Sequence, residues 1–477
     1  MPDPINDRRE VNSVLRLVQR EAEAYLDSLD TALARPPGGG VPAAALPSVG
    51  VGSLQAMSEL IAASGDGATR STGPRYFHYV TGGVTPAALG ADWLASALDQ
   101  HAYNWIGSPF AAHLEQISLD WLKDLFGIPA QWSAVLTTGA TASNFVGLAA
   151  ARRWWGLKHR VDIDTHGFAG LPPVPVFASG YLHASAIKAL GMLGIGRQQP
   201  QILTRDPAGR LDVAALSAAL EALGGQPAIV IATAGDVNTG DFDPLANVAE
   251  LTHAHGAWMH VDGAFGLFAA VSPLTRHLVD GISDADSVAV DGHKWLNVPY
   301  ESGFAFVRDP VIHAGAFSAS AAYLRTEPTA RPVFGNLSPE MSRRARALPV
   351  WATLRAYGRD GYRAMVERHL RLAQRVALQV DEAPDLERLA EVPLNVICFR
   401  FRPSGVLEGA LDDLNRRLGA NILDDGRVYF GTTEYAGKVA FRPAIVNWRT
   451  GEEDVDLIVK VVRELGARLV GSTAPAG

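Results

Sequence analysis

The feature that most constrains this chain is an alternation that begins near residue 80. Short, continuous apolar runs at 134–138, 174–178, 228–233, 257–261, 287–290 and 303–307 read as buried strands. Helical patterns lie between them, for example at 141–156, 212–223 and 244–255. The last has a start signal: Asp243 is the expected N-cap and Pro244 the first helical residue. Continuous rather than alternating apolar strands, separated by helices, predict an α/β chain whose mostly parallel sheet is covered on both faces. In such sheets functional groups collect at the carboxyl ends of the strands.

The flanks differ from this centre. Residues 7–33 read as a polar helix with Val11, Val14, Leu15, Leu17 and Val18 on one side, and the Pro/Gly-rich run 35–42 reads as a linker. After residue 366 a helix at 359–381 leads to strand-like runs at 394–402 and 439–446 and a helix at 452–470, a smaller α+β unit. The expected organisation is an N-terminal helical arm (1–80), a large domain (81–365) and a small C-terminal domain (366–477).

Composition excludes several classes. With 19% charged residues, below the usual quarter, the chain is not disordered as a whole. Its net charge of -8 and the lack of any Lys/Arg-rich run argue against a nucleic-acid binder. No 18-residue apolar stretch predicts a membrane span, and the polar amino terminus does not read as a signal peptide. A single cysteine, Cys398, cannot form an internal disulfide, so a reduced, cytoplasmic setting is expected.

Four strand ends carry chemistry. Gly139, Ala140 and Thr141 open a helix after a strand, where free N–H groups and the helix dipole suit a phosphate; a simple capped turn reads equally well. His183 follows the strand at 174–178, where an imidazole can stack on a flat ring or merely sit on a surface loop. Asp262 ends an apolar strand, an expensive place for a carboxylate without a cationic partner such as a protonated pyridine nitrogen. A metal site formed with His253, His255 and His260 is the weaker reading, since i and i+2 on a helix do not face together. Lys294 lies just past another apolar strand, where a lysine in a dry site can lose its proton and form a Schiff base. Together these supply a phosphate cradle, a stacking ring, a pyridinium partner and a carbonyl-binding amine, the parts that pyridoxal 5′-phosphate requires.

Those residues lie in strings that resemble the group II pyridoxal-phosphate decarboxylases, which include the aromatic-amino-acid, histidine and glutamate enzymes. The strings are Asp291-Gly292-His293-Lys294-Trp295, His260-Val261-Asp262-Gly263-Ala264, and Ser108-Pro109-Phe110-Ala111-Ala112-His113-Leu114-Glu115 with Asp120-Trp121-Leu122. Arg343-Arg344 and Leu354-Arg355-Ala356-Tyr357-Gly358 also match, and the likeness runs from about 75 to 465. The resemblance implies the aspartate-aminotransferase fold (fold type I) and a homodimer with shared active sites. It implies that Lys294 carries the cofactor, Asp262 pairs with its ring nitrogen, and His183 and Ala264 cover its two faces. Ala140, Thr141 and His293 would line the phosphate, with Asp291 or Thr233 nearby. Tyr79, Gly82, Tyr103, Trp105, Pro109 and Phe110 would shape the substrate pocket, some from the partner subunit.

The implied activity is decarboxylation of an aromatic or otherwise bulky L-amino acid to its amine. Two departures qualify it. Gly235-Asp236-Val237-Asn238-Thr239-Gly240 stands where the family usually has Gly-Thr-Thr, and Thr81-Gly82-Gly83 is glycine-rich where a carboxylate-contacting threonine is common. Counting back from Arg343 places Phe334 where a loop tyrosine returns the proton in aromatic-amino-acid decarboxylases. A phenylalanine cannot donate one. The product is then an aldehyde, with ammonia and peroxide, or else Tyr323, Tyr362 or His183 donates. An aminotransferase, a carbon–carbon lyase and a non-catalytic protein on the same fold are the other readings; the retained Lys294, Asp262 and His183 speak against the last.

Overall fold

The computed structural model describes residues 4–35, 38, 45–318, 331 and 333–473. Most of the Pro/Gly-rich run, and Tyr323, lie outside the described residues.

Seven strands form the central sheet: β1 (Ser133–Thr137), β2 (Val176–Ala178), β3 (Pro200–Ile202), β4 (Ile229–Thr233), β5 (Trp258–Asp262), β6 (Ser287–Asp291) and β7 (Gly303–Val307). Their order is β1-β7-β6-β5-β4-β2-β3. All pairings are parallel except those of β7, which runs antiparallel to both neighbours. Every residue of β4, β5, β6 and β7 is buried. That is why these runs read as continuously apolar: helices cover both faces. The register sets Thr233 beside Asp262 and Asp291 beside Gly303, so several strands finish on one edge. β3 is a three-residue edge strand without an apolar run, and nothing in its sequence predicts it.

The second sheet, β8 (Leu386–Arg388), β9 (Phe399–Phe401), β10 (Thr432–Tyr435) and β11 (Lys438–Phe441), is antiparallel in the order β10-β11-β9-β8. Its core is separate, built from Phe399, Phe401, Phe430 and Phe441 with Leu372, Val376 and Val462. The handover between cores falls inside one long helical stretch, Ala347–Glu382: Tyr362, Met365 and Val366 pack in the first core, Leu372 and Ala373 in the second. Gly358, at φ 59°, breaks that stretch into two helices, and the helix expected at 359–381 is its second half.

Two local expectations need correction. The helix expected to start at Pro244 is Leu245–His255, with Pro244 in the cap position. Asp243 does not cap it. Its carboxylate turns back to the sheet and accepts from the Thr233 N–H and the Ser179 hydroxyl, each at 2.8 Å. Burial pushes that carboxyl up to about 7. The N-terminal helix, Val11–Ser28, has no buried residue; Val11 and Leu15 are more than half exposed.

Candidate active site

The carboxyl ends of β1, β2, β4, β5 and β6 open on one cavity of about 300 Å³. Gly139, Ala140, Thr141, His183 and Thr233 line it, as do Asp262, Ala264, Asp291, His293 and Lys294. The fold therefore brings together residues that span 155 positions of sequence, from 139 to 294.

Lys294 lies one turn past β6. Its Nζ is 3.2 Å from Asp291 Oδ2 and 5.6 Å from the centre of the Phe265 ring. The other Asp291 oxygen accepts from the Ala140 N–H at 2.5 Å and lies 3.3 Å from His293 Nε2. Asp291 thus spends both oxygens on the chain itself. A Cβ added at Gly82 would meet the Lys294 carbonyl oxygen at 1.9 Å, and the Gly82 N–H donates to the His293 carbonyl at 3.0 Å. Gly82 is therefore a backbone rest for the lysine loop, not a wall of the cavity.

The helix Ala140–Lys158 begins at the cavity edge. Ala140 N–H is taken by Asp291 and Ser143 N–H by the Gly139 carbonyl, which leaves the N–H groups of Thr141 and Ala142 in the first turn for an anion. His293 Nδ1 is buried and has no hydrogen-bond partner among the described residues. Burial lowers the pKa of that imidazole.

Asp262 is 5% exposed and has no ion pair among the described residues. Its Oδ1 accepts from the Ala264 N–H at 3.2 Å, and its Oδ2 from Asn144 Nδ2 at 2.8 Å. Asn144 Oδ1 meets His260 Nε2 at 2.8 Å, and His260 Nδ1 meets Ser287 Oγ at 2.8 Å. Both His260 nitrogens are thereby used, so no metal set forms with His253 and His255. Among the described residues no group of three or more His, Cys, Asp or Glu is placed to hold a metal.

The wall also contains Gly235 and Val237 of the departing loop, and residues that sequence reasoning missed: Tyr181, Ser185, Phe265, Tyr300 and Glu301. Val237 is the informative one. The departure from Gly-Thr-Thr puts an apolar side chain on the cavity, while Asp236 turns inward to cap its own loop through Asn238 N–H, Thr239 N–H and the Thr239 hydroxyl. Arg442, from the small domain, donates to the Val237 carbonyl at 3.4 Å and ties that loop across the junction.

Several expected residues are elsewhere. Tyr79, Tyr103, Trp105, Pro109 and Phe110 do not line this cavity; Tyr79 and Phe110 are 64% and 51% exposed. Phe334 is 1% exposed and packs in the main core, its ring 5.6 Å from the Arg343 guanidinium, which itself pairs with buried Glu115. It is removed from the cavity because that ion pair and the Gly335 N–H to Tyr103 carbonyl bond anchor its turn. Tyr362 is equally buried, and its hydroxyl is spent on the Leu296 carbonyl and Thr353.

A doubly wound sheet with a lysine, a carboxylate and an imidazole at its carboxyl edge is the arrangement that a pyridoxal-phosphate site requires. Residues 57–402 match the pyridoxal-dependent decarboxylase conserved domain, and the chain belongs to that family. It is similar to an aromatic-L-amino-acid decarboxylase of Bacillus atrophaeus, 29% identical over 82% of this chain and 81% of that one. It is also similar to an L-2,4-diaminobutyrate decarboxylase of Rhizobium meliloti, 31% identical over 89% and 84%. A structure of Oryza sativa TDC with PLP and tryptamine superposes with a TM-score of 0.89, at 24% identity, over 97% of this chain and 98% of that chain.

The residues present fit the cofactor. The unpartnered His293 Nδ1, the side-chain-free Gly139 and the two spare N–H groups suit a phosphate. The buried carboxylate of Asp262 lacks the cation that a protonated ring nitrogen supplies.

Proposed function

We propose that this pyridoxal-phosphate carboxy-lyase acts on an aromatic or otherwise bulky L-amino acid and releases the amine. The observation that carries the reading is the convergence of Lys294, Asp262 and His183 on one cavity. Bound there, pyridoxal phosphate supplies an electron-accepting ring for the charge left when carbon dioxide departs. Lys294 is the amine that holds it. Asp262, which accepts from two N–H donors, would pair with the ring nitrogen and favour its protonated form. His183 and Ala264 cover the two faces, and Thr141, Ala142 and His293 take the phosphate. Phe265 and Val237 make the wall apolar, which favours a bulky side chain over a charged one.

The amine is preferred to the aldehyde because Phe334, on which the aldehyde reading rested, is 1% exposed and packs in the core against the Arg343 guanidinium, so it presents no surface to this cavity or to a partner's. Of the other candidate donors, Tyr362 is buried with its hydroxyl spent, whereas His183 lines the cavity.

In this reading the arm (1–80), the large domain (81–365) and the small domain (366–477) work as a homodimer. Val11, Leu15, Leu54 and Leu60 leave apolar surface on the arm for a second copy to cover. Tyr79, Tyr103, Trp105, Pro109 and Phe110 then serve the partner's cavity. A cytoplasmic setting accords with Cys398, fully buried and with burial pushing its thiol up to about 12. Among the described residues no helix is long and apolar enough to cross a membrane.

The test is a panel of amino acids assayed for carbon dioxide, amine and peroxide together. One amine per carbon dioxide and no peroxide is expected; peroxide matching carbon dioxide would replace the amine reading. Lys294→Ala should abolish release and the visible absorbance band, and light scattering should give two chains per particle.

A further inference from the structure

We propose that Asn144 and Ser185 are positioning residues that lock His183 as the neutral Nε2–H tautomer, so that the ring offers the cavity a proton and not a lone pair. The assignment follows from one fixed point. The Asp262 carboxylate can only accept, so the Asn144 atom 2.8 Å from it is the amide nitrogen. Asn144 Oδ1 therefore faces His260, whose Nε2 must carry its proton. His260 Nδ1 is then bare and accepts from the Ser287 hydroxyl, which in turn accepts from Trp258 Nε1–H at 3.0 Å. Ser287 Oγ also lies 3.5 Å from the Gly147 carbonyl, but the 2.8 Å contact to His260 Nδ1 is much the shorter and takes the hydroxyl hydrogen.

The second Asn144 hydrogen goes to Ser185 Oγ at 3.1 Å. That leaves the Ser185 hydroxyl hydrogen for His183 Nδ1, 2.7 Å away. The Ser185 N–H also points at His183 Nδ1, at 3.2 Å. Two donors converge on one ring nitrogen, so it cannot carry a proton itself. Nε2 is the nitrogen left for the cavity. Burial disfavours the imidazolium, which would break both bonds. Asn144 and Ser185 are 0% and 8% exposed, so the donor side of these contacts is fixed by packing, while the His183 ring opens on the cavity.

The inference rests on the proposed role of His183, but it is read without turnover. In cofactor-free protein carrying 15N-histidine, with His183→Gln to assign the signal, His183 should show a bare Nδ1 and a protonated Nε2. A protonated Nδ1, or an averaged pair, overturns the proposal whether or not the chain is a decarboxylase. Ser185→Ala should move His183 toward a tautomer mixture and lower kcat of the holoenzyme about tenfold, with KM within about twofold. Ser185→Thr, which keeps the hydroxyl, should restore both. Asn144→Ala should act like Ser185→Ala. Should Asn144→Ala fail to fold, the wild-type spectrum and the two Ser185 variants still decide. An unchanged tautomer in Ser185→Ala refutes the relay.

Discussion

Two fully buried histidines back the active site, and they do different work with the same device. His260 is held by Ser287, which Trp258 supports, and passes its proton-bearing nitrogen to Asn144 and so to Asp262. His369 accepts from Trp295 Nε1 at 2.9 Å and meets the Asn447 carbonyl at 3.0 Å. Asn447 in turn reaches the Thr72 and Gly73 carbonyls. The first network ends on a carboxylate at the cavity. The second ends on backbone, and joins the segment after Lys294, the long helix, the small domain and the stretch before the large domain. Burial makes both rings neutral, pulling His260 down to about 4 and, with the Arg368 guanidinium nearby, His369 to about 3. A neutral imidazole has one donor and one acceptor, so it transmits direction. What it serves depends on the group at the end of the chain.

Removing the terminal carboxylate tests the contrast most severely. Asp262→Asn should lower kcat by about 10²–10³-fold with little loss of stability; retained activity would mean that the first network is structural like the second. His369→Phe should cost about 2–4 kcal/mol of stability, because the Trp295 N–H and the Asn447 carbonyl lose their partner, yet leave kcat within about twofold once folded. His260→Phe should lower both quantities. Denaturant unfolding alongside steady-state rates separates these outcomes.

Adjacent glycines sharpen the comparison further. A Cβ at Gly82 would strike the Lys294 carbonyl oxygen, whereas one at Gly83 would strike the Asn447 side chain at 2.7 Å. Each alanine should cost about 1–3 kcal/mol from overpacking. Only Gly82→Ala should also weaken the visible absorbance of the bound cofactor. The most gradual effect is in pH. Both histidines have folded pKa values below the unfolded 6.5. Their contribution is complete above that value and is lost as pH falls toward about 4 for His260 and about 3 for His369, because over that window the unfolded chain binds the extra protons. Stability should therefore drop on acidification, and either His→Phe variant should lose less, by about 1.4 kcal/mol per pH unit.

Legibility followed chain locality. The strings ending in Asp262 and Lys294 were readable because a charged residue after a buried strand is costly and so conspicuous. Asn144 stood in the same run as Gly139 and Thr141 but gave no signal, since its partners lie 41, 116 and 118 residues away. Asp243 looked like a helix cap because Asp-Pro usually is one; only the neighbouring strand end, offering the Thr233 N–H, draws it inward. Phe334 came from counting across a loop, and counting has no access to the Arg343–Glu115 pair that anchors its turn.

Sequence alone determined six of the seven strands of the large sheet, its covered faces and the charged residues at its carboxyl edge, because apolar continuity and strand-end charge are local costs that each segment bears by itself. Tertiary structure alone decided which tyrosines and aromatics miss the cavity, which loop turns Val237 toward it, and which nitrogen of each buried histidine carries the proton. Those depend on donors and acceptors that meet only when distant strands are laid side by side, and a buried polar atom takes its role from whichever partner it finds there.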